Sequence, residues 1–364
     1  MVAPHVSRDD EPAGSRQAQD LLPPVSPPDA SFLMQLFVTP MLIVGLLVGG
    51  WFLLQWVARP QQDPRRLVAE IGKLNHRSWQ QALALANQLR DETQKSLRQD
   101  ARIAADVGRL LDQQLSEPAR NEDQIRLRIY LCRALGEFEC DAGVGTLAAA
   151  AASSNASLRV RRAAIQSLGM LAIRLGPATW AHEDTVLGPI VAATRNETIR
   201  DEETPSRSAN ENDEAKAERR RLRSSATYVL GLMGGKVAEQ RLTELLSDQE
   251  PDVHHNAVTA LARLGQVACV PGLLAMLRAT AVESSEPTPD ALERDWKGAL
   301  IVSAAVRATA TLAQVVPDLD ATPFLEPLSV IARDAGHPRE LRLEARDVLK
   351  LLSRRTPASE PAKP

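Results

Sequence analysis

The sequence predicts an all-α protein in which one transmembrane helix precedes an α-solenoid, a stack of helical hairpins. Three observations support this fold class: the composition of the apolar residues, an uncharged run near the N-terminus, and a helical pattern that recurs about every thirty residues. Of the 364 residues, 44% are hydrophobic but only 3% are aromatic. Since β-sheet cores rely on aromatic and β-branched residues, a core of Leu, Ala and Val favours helix-on-helix packing.

The first predicted element is a transmembrane helix at residues 31–58, which carry no charged side chain. A bilayer core needs about 20 apolar residues at helical rise, so this run is long enough to span it. Trp51 and Trp56 lie near its C-terminal end, where amphipathic rings favour the membrane interface. A cleaved signal peptide, the alternative, would need a short basic leader, whereas residues 1–30 are acidic and Pro-rich. We therefore expect a retained span that contacts the lipid bilayer.

Basic residues on the two sides of the span predict its orientation. Only Arg16 lies within about 20 residues on the N-terminal side. The basic residues on the other side are Arg59, Arg65, Arg66, Lys73 and Arg77. We therefore expect the N-terminus outside and the repeat domain in the cytoplasm, with residues 1–30 as a disordered tail and residues 59–65 as a linker.

Gly45 and Gly49 form a Gly-x-x-x-Gly step inside the span. Such a step lets two helix backbones approach closely, which leads to the hypothesis that the span self-associates through this face. The alternative is that glycine is simply common in membrane helices.

A repeated helical hairpin pattern fills residues 66–355. Two consecutive units, thirty-one residues apart, match at Leu230 with Leu261, Gly234 with Gly265, Leu242 with Leu273, and Leu246 with Leu277. Each unit has an apolar stripe, a glycine break and a second apolar stripe, with the three- and four-residue spacings of amphipathic helices. The glycine between the stripes is expected to end the first helix in a left-handed cap.

The same frame recurs along the chain, with Leu135-Gly136 and Leu168-Gly169 thirty-three residues apart and weaker copies at Leu312 and Leu349. The first helices of the units are predicted to begin near residues 77, 124, 158, 221, 253, 299 and 339. Three segments are predicted to lie outside the helices: the acidic insertion 196–219, the loop 282–290 and the disordered tail 356–364. The insertion is expected to be disordered and to be followed by a helix that starts near Arg220.

These units resemble the HEAT-like repeat family, in particular the short repeats grouped with phycobilisome-lyase HEAT-like units. The Arg-x-x-Ala-x-x-x-Leu-Gly-type motif runs from Arg161 through Leu168-Gly169. The resemblance extends over residues 66–355 and is clearest across 220–280. It implies an α-solenoid whose usual work is protein–protein contact and sometimes scaffolding. It implies no activity, because the matching positions are packing positions.

Residues with catalytic or metal-binding chemistry are sparse. No two cysteines have metal-ligand spacing, and Cys132 and Cys269 occupy positions of small core residues. Adjacent His254 and His255 diverge by about 100° on a helix, so we expect solvated surface residues rather than metal ligands. Phosphate-loop, dinucleotide and nucleophile-elbow motifs are missing. We therefore expect no catalytic residue, cofactor or metal, and a HEAT-repeat lyase-like enzyme ranks last among the functions considered.

Arginines recur at the starts of the first helices. They are Arg126, Arg128, Arg159, Arg161, Arg162, Arg220, Arg221 and Arg223. Stacked, they would form a ridge able to contact phosphates or acidic partner segments, although the preferred interpretation is that they bridge adjacent loops and helix ends. A net charge of −3 argues against a nucleic-acid binder. The sequence thus favours a membrane-anchored scaffold or adaptor for protein partners, with a nucleic-acid or acidic-ligand binder as the alternative.

Overall fold

The structure is a computed structural model that describes residues 30–57, 63–176, 184–195, 209–279 and 289–354. These residues form sixteen α-helices and no strand. The chain splits into two compact units, Met1–Gln62 and Asp63–Pro364. Nearly all of the predicted N-terminal tail, most of the linker, the C-terminal tail and residues 196–208 of the insertion lie outside the described residues.

The described residues of the first unit form one helix, α1 (Ala30–Val57), which has Pro40 inside it. The stretch Leu36–Leu54 is wholly exposed. Its side chains carry no charge that could favour contact with water, so the helix presents an apolar surface on every side.

The second unit contains the other fifteen described helices. They are α2 (Pro64–Ile71), α3 (Ser78–Arg90), α4 (Lys95–Arg98), α5 (Ala101–Leu115), α6 (Glu122–Glu137), α7 (Val144–Ala152), α8 (Leu158–Leu175), α9 (Asp184–Thr194), α10 (Ala209–Met233), α11 (Lys236–Glu244), α12 (Pro251–Arg263), α13 (Val270–Leu277), α14 (Pro289–Val315), α15 (Thr322–Arg333) and α16 (Arg339–Ser353).

Two series of helices run through this unit. In the first layer, α3, α6, α8, α10, α12, α14 and α16 each pack against the next helix of the series. The second layer contains α5, α7, α9, α11, α13 and α15, and each of these packs against the first-layer helix that follows it in the chain. The helices are thus packed in neighbouring pairs, an order compatible with an α-solenoid. The first-layer helices are the seven predicted from the sequence as first helices of the units.

Two first-layer helices begin earlier than the sequence predicts. Helix α10 begins at Ala209 rather than near Arg220, so the second half of the predicted disordered insertion is helical. Its added turns contain helix-favouring Ala, Glu, Lys and Arg, and Glu218 pairs with Arg162 of α8 at 3.3 Å. The prediction was wrong here because it looked only for apolar residues. Helix α14 begins at Pro289, inside the predicted loop 282–290, since proline suits the first helical position.

Left-handed glycines end α10 and α12, as predicted. Gly234 has a φ of 69° after α10, and Gly265 has a φ of 74° after α12. The N–H of Gly234 donates to the carbonyl of Leu230 at 2.9 Å, which satisfies one of the free carbonyls at the helix end.

The glycines of the Leu-Gly steps have a different role, because they lie within helices and permit close packing between first-layer neighbours. A Cβ added at these positions would lie 2.8 Å from Ser167 Cβ for Gly136, 2.8 Å from Val229 Cγ2 for Gly169, and 2.3 Å from Ala260 Cβ for Gly231. Each contacted residue directly precedes a leucine of the repeat register. These register leucines, called the reference leucines below, are Leu135, Leu168, Leu230 and Leu261, and all four are buried. The same contact therefore recurs along the first layer.

Candidate binding surface on the first-layer helices

The predicted arginines fall into two sets, and one set points inward. Arg128, Arg161 and Arg223 each stand seven residues before a reference leucine. All three donate hydrogen bonds to backbone carbonyls. Arg128 donates from Nη2 to Glu117 at 2.8 Å and from Nη1 to Asn155 at 3.1 Å. Arg161 Nε donates to Ala151 at 2.8 Å, and Arg223 Nε donates to Thr194 at 3.1 Å. Most of these carbonyls lie at or just after the C-terminal ends of second-layer helices. A cation there satisfies free carbonyls and favours the negative end of the helix dipole.

Burial marks Arg128 as a structural residue. It is 2% exposed, and desolvation lowers the pKa of its guanidinium. Hydrogen bonds from a charged donor contribute about 1.5–3 kcal/mol each, and a buried charge without such partners would be costly. Arg128 therefore ties α6 to the segments that follow α5 and α7, and it is removed from any exposed ridge.

His254 occupies the same register position in α12, seven residues before Leu261. Its Nδ1 lies 2.8 Å from the Leu246 carbonyl, which follows α11. The expectation of a solvated surface pair was wrong, because both His254 and His255 are half-buried and their rings meet edge to face. Burial, and next the neighbouring His254, lower the pKa of His255. Among the described residues, no cluster of His, Cys, Asp and Glu could hold a metal ion.

The second set of arginines lies at the surface and joins neighbouring helices through shared carboxylates. Glu122 of α6 contacts Arg126 at 3.5 Å and Arg159 of α8 at 2.7 Å. Glu218 of α10 contacts Arg162 of α8 at 3.3 Å. The remaining pairs are Arg221 with Glu218 at 2.6 Å, Arg220 with Glu250 at 4.0 Å, and Arg126 with Asp123 at 3.8 Å. This set therefore makes helix-to-helix bridges on an exposed face.

Four arginines and two aromatic rings line a cavity of about 430 Å³ between α3, α6 and α8, called the arginine–aromatic pocket. The arginines are Arg126, Arg133, Arg159 and Arg162. The rings of Trp79 and Tyr130 stack with centroids 6.2 Å apart. The Arg126 guanidinium lies 5.5 Å from the Trp79 ring, and that of Arg133 lies 5.4 Å from the Tyr130 ring. Stacking of this kind favours these positions of the flexible arginine side chains, by about 0.5–1 kcal/mol at exposed sites.

Sequence reasoning missed Trp79, Tyr130 and Arg133. One local signal was present, since Arg126, Tyr130 and Arg133 follow at spacings of four and three and therefore share a helix face. The partnership with Trp79 depends on the packing of α3 against α6, which spacing along the chain does not reveal.

An apolar groove adjoins this pocket along the first layer. Its cavity of about 360 Å³ lies between α8 and α10 and is lined by exposed Met170, Ile173 and Tyr228. A third cavity, of about 420 Å³, lies between the two and shares Arg133 with the pocket and Met170 with the groove. Gln166 lines all three cavities, so they form one continuous surface.

Two of the cysteines are core residues, as expected. Cys132 and Cys269 are fully buried, and burial raises the pKa of each thiol to about 12. Cys140 is half-buried, and burial again raises its pKa. All three are therefore protonated thiols at neutral pH, which are weak nucleophiles.

In the first unit, Gly45 and Gly49 face open space, with no atom within 4 Å of a Cβ built at either position. The α1 backbone is therefore accessible along this face to a second helix of similar shape.

No protein-family model matches the chain, and no curated protein matches it significantly.

Proposed function

We propose that the protein is a membrane-anchored scaffold or adaptor whose HEAT-like α-solenoid binds a protein partner on the first-layer face. The observation that carries the proposal is the continuous surface on that face, in which the arginine–aromatic pocket, the middle cavity and the apolar groove adjoin at Gln166. Stacked hairpins present extended binding surfaces of this kind, and the resemblance to HEAT-like repeats implies that the ligand is another protein. The inward orientation of Arg128, Arg161 and Arg223 weakens the nucleic-acid alternative, since these residues are engaged with backbone carbonyls.

The membrane anchor of the proposal is α1. In the described part of the chain, two helices are long and apolar enough to cross a membrane by length and composition. They are Leu36–Leu54 in α1 and Trp296–Val315 in α14. One third of the α14 stretch is buried, and α14 packs against α12, α13 and α16 as a member of the array. The α1 stretch is not buried at all, so a bilayer would remove its apolar surface from water at about 25 cal/mol per Å². We therefore assign one span, with the array on the cytoplasmic side.

Membrane attachment and orientation are tested by fractionation and by reporter fusions. The full chain should stay in the membrane fraction after alkaline extraction, and a variant that lacks residues 31–58 should be released. An export-dependent reporter should be active at the N-terminus and inactive at the C-terminus. Release of the full chain by alkali, or a C-terminal reporter that is active only outside, would contradict the proposal.

Partner binding is tested by affinity capture from detergent-solubilised membranes. The wild-type chain and a variant with Arg133→Glu and Ile173→Ser should be compared with a matched surface control, Arg109→Glu with Val267→Ser. Arg109 lies on α5 of the second layer, and Val267 matches Ile173 at 57% exposure. A partner retained by the wild type and the control but lost from the first-layer variant supports the proposal. Capture of no partner by the wild type would oppose it.

A further inference from the structure

We infer that the arginine–aromatic pocket and the apolar groove together bind one extended peptide segment of the partner, with acidic residues at one end and apolar residues at the other. The inference rests on the proposed function and specifies the chemistry of its partner.

Charge in the pocket favours an anionic group. Four arginines line it, but only three carboxylates pair with them in the described part of the chain, namely Glu122, Asp123 and Glu218. Glu218 is also shared with Arg221 outside the pocket. Arg133 is exposed and pairs with no carboxylate among the described residues. The pocket therefore has positive charge to spare, and guanidinium groups bind carboxylates in well-defined geometry.

The existing ion pairs leave room for an incoming carboxylate. Glu122 holds two arginines and is itself 45% exposed in its side chain. Ion pairs at such exposure contribute little to stability, so a partner carboxylate can share or replace Glu122 at small cost. When an acidic residue of a partner binds, an arginine exchanges its exposed ion pair with Glu122 for an ion pair with the partner, and the new contact also buries surface.

The aromatic rings reduce the ordering cost of binding. A free arginine side chain loses considerable rotamer freedom when it binds a ligand. Arg126 and Arg133 are already positioned over the stacked rings of Trp79 and Tyr130. Their planar groups are therefore arranged before a ligand arrives, which increases affinity without adding a contact.

The apolar groove favours a peptide over a nucleic acid. Met170, Ile173, Tyr228 and Leu232 supply its apolar surface, and its other lining residues are uncharged, among them Ser224, Ser225 and Asn256. A nucleic acid carries a charge on every phosphate, so a strand that entered the pocket would extend phosphates over a groove whose lining residues carry no charge. The Arg263 guanidinium, which lies 5.6 Å from the Tyr228 ring, is not part of that lining. A peptide can change from acidic to apolar within a few residues and so match both halves.

The spacing of the helices sets the length of the segment. The surface runs from α6 across α8 to α10, which is two interhelix steps of about 8–10 Å each. An extended chain advances about 3.3 Å per residue, so about six residues cover the distance between the helix axes. A segment of about ten residues reaches both the arginines and the groove.

Fluorescence anisotropy with the full-length protein in lipid nanodiscs provides the test. The probe is a pool of fluorescein-labelled ten-residue peptides with four Asp or Glu, a Gly-Ser spacer, and four apolar residues, in both orders along the chain. Control probes replace the acidic residues by Gln and Asn, or the apolar residues by Gly and Ser, and a further control is a twelve-nucleotide single-stranded DNA. We expect saturable binding of the acidic–apolar pool and at least about tenfold weaker binding of each control probe.

Two variants locate the binding on this surface. Arg133→Glu should weaken binding of the acidic–apolar pool at least about tenfold, because it replaces attraction by repulsion. Ile173→Ser should weaken binding of the same pool but leave binding of the acidic control probe unchanged. The matched controls Arg109→Glu and Val267→Ser should bind like the wild type, and circular dichroism spectra should show that every variant is folded.

The inference is overturned if the acidic–apolar pool shows no saturable binding up to about 1 mM, the weak end of recognisable affinity. It is also overturned if the Gln and Asn peptides or the DNA bind equally well, or if Arg133→Glu has no effect. A partner that is captured by the wild type and lost from the Arg133→Glu, Ile173→Ser variant, together with no saturable binding of the peptide pool, would preserve the scaffold proposal while refuting this peptide site.

Discussion

Of the three Leu-Gly glycines, Gly231 is the one at which an added Cβ would lie nearest to the neighbouring first-layer helix, so it provides a direct test of the packing register. A Cβ at this position would lie 2.3 Å from Ala260 Cβ and 3.0 Å from Ala260 Cα. Because the second atom is backbone, α10 and α12 must move apart to accept the methyl group. Overpacking of a dense interior costs about 1–3 kcal/mol, and the better helix propensity of alanine offsets up to about 1 kcal/mol. A contact of 2.3 Å is far shorter than real Cβ contacts, so the cost falls in the upper part of that range, and we expect Gly231→Ala to lower the free energy of unfolding by about 1–2 kcal/mol.

The assay is urea unfolding of the full-length protein in detergent, followed by circular dichroism. Gly145→Ala in α7 is the matched control, since a Cβ there meets nothing within 4 Å, and it should leave stability unchanged or raise it slightly. The double variant Gly231→Ala, Ala260→Gly should lose less stability than the two single variants added together, because Ala260→Gly removes the atom that clashes. If Gly231→Ala behaves like Gly145→Ala, or if the two single losses are additive, the close packing of Gly231 against Ala260 is contradicted.

Three further perturbations test separate parts of the structure. Arg128→Met should lower the free energy of unfolding by about 2–3 kcal/mol in urea melts, because it removes the donor from the part-buried carbonyls of Glu117 and Asn155. Exposed Arg109→Met should change it by less than about 0.5 kcal/mol. The pKa of His255 is lowered in the folded state, chiefly by burial, so the unfolded chain binds more protons as the pH falls below about 6.5 and the folded state loses stability there. His255→Gln should flatten that decline in thermal melts recorded between about pH 8 and pH 5. An unchanged slope would argue against a role of His255 in the decline. Gly49→Ile should weaken association of α1 in a membrane two-hybrid assay if the Gly45 face is a contact, and an equal signal would remove that hypothesis.

The repeat register was predictable because it depends on spacing along the chain. Leu230 and Leu261 are both buried, and Gly234 and Gly265 both adopt left-handed backbone, as their thirty-one-residue separation indicates. Each of these features is fixed by the local helix and its own turn, so one sequence contains the information needed.

The division of the arginines was not predictable in the same way. Arg159 and Arg161 are two residues apart on one helix, yet the first pairs with Glu122 at the surface and the second donates to the carbonyl of Ala151. Which side chain reaches a carbonyl depends on where the preceding second-layer helix ends in space. The register does contain a usable signal, since the inward position, seven residues before a reference leucine, is filled by a cation or by His254.

The start of α10 was missed because its first turns are stabilised by polar contacts. Sequence reasoning associated order with apolar residues and therefore placed the helix start near Arg220. Glu218 is nearly buried between Arg162 and Arg221, so an acidic residue in a polar segment becomes part of the interface with α8. Ion pairs between neighbouring helices are visible only once the helices are packed.

Site-specific photo-crosslinking in intact cells tests the scaffold proposal most directly. A photoreactive residue at Gln166, which is exposed and lines all three adjoining cavities, should form a discrete crosslink to another polypeptide in the membrane fraction. The same residue at Arg109, on the exposed face of α5, should not form it, and Arg133→Glu should abolish it if the acidic–apolar segment is the ligand. A crosslink to nucleic acid, or equal protein crosslinks from positions 166 and 109, would contradict a scaffold that binds its partner through the first-layer face.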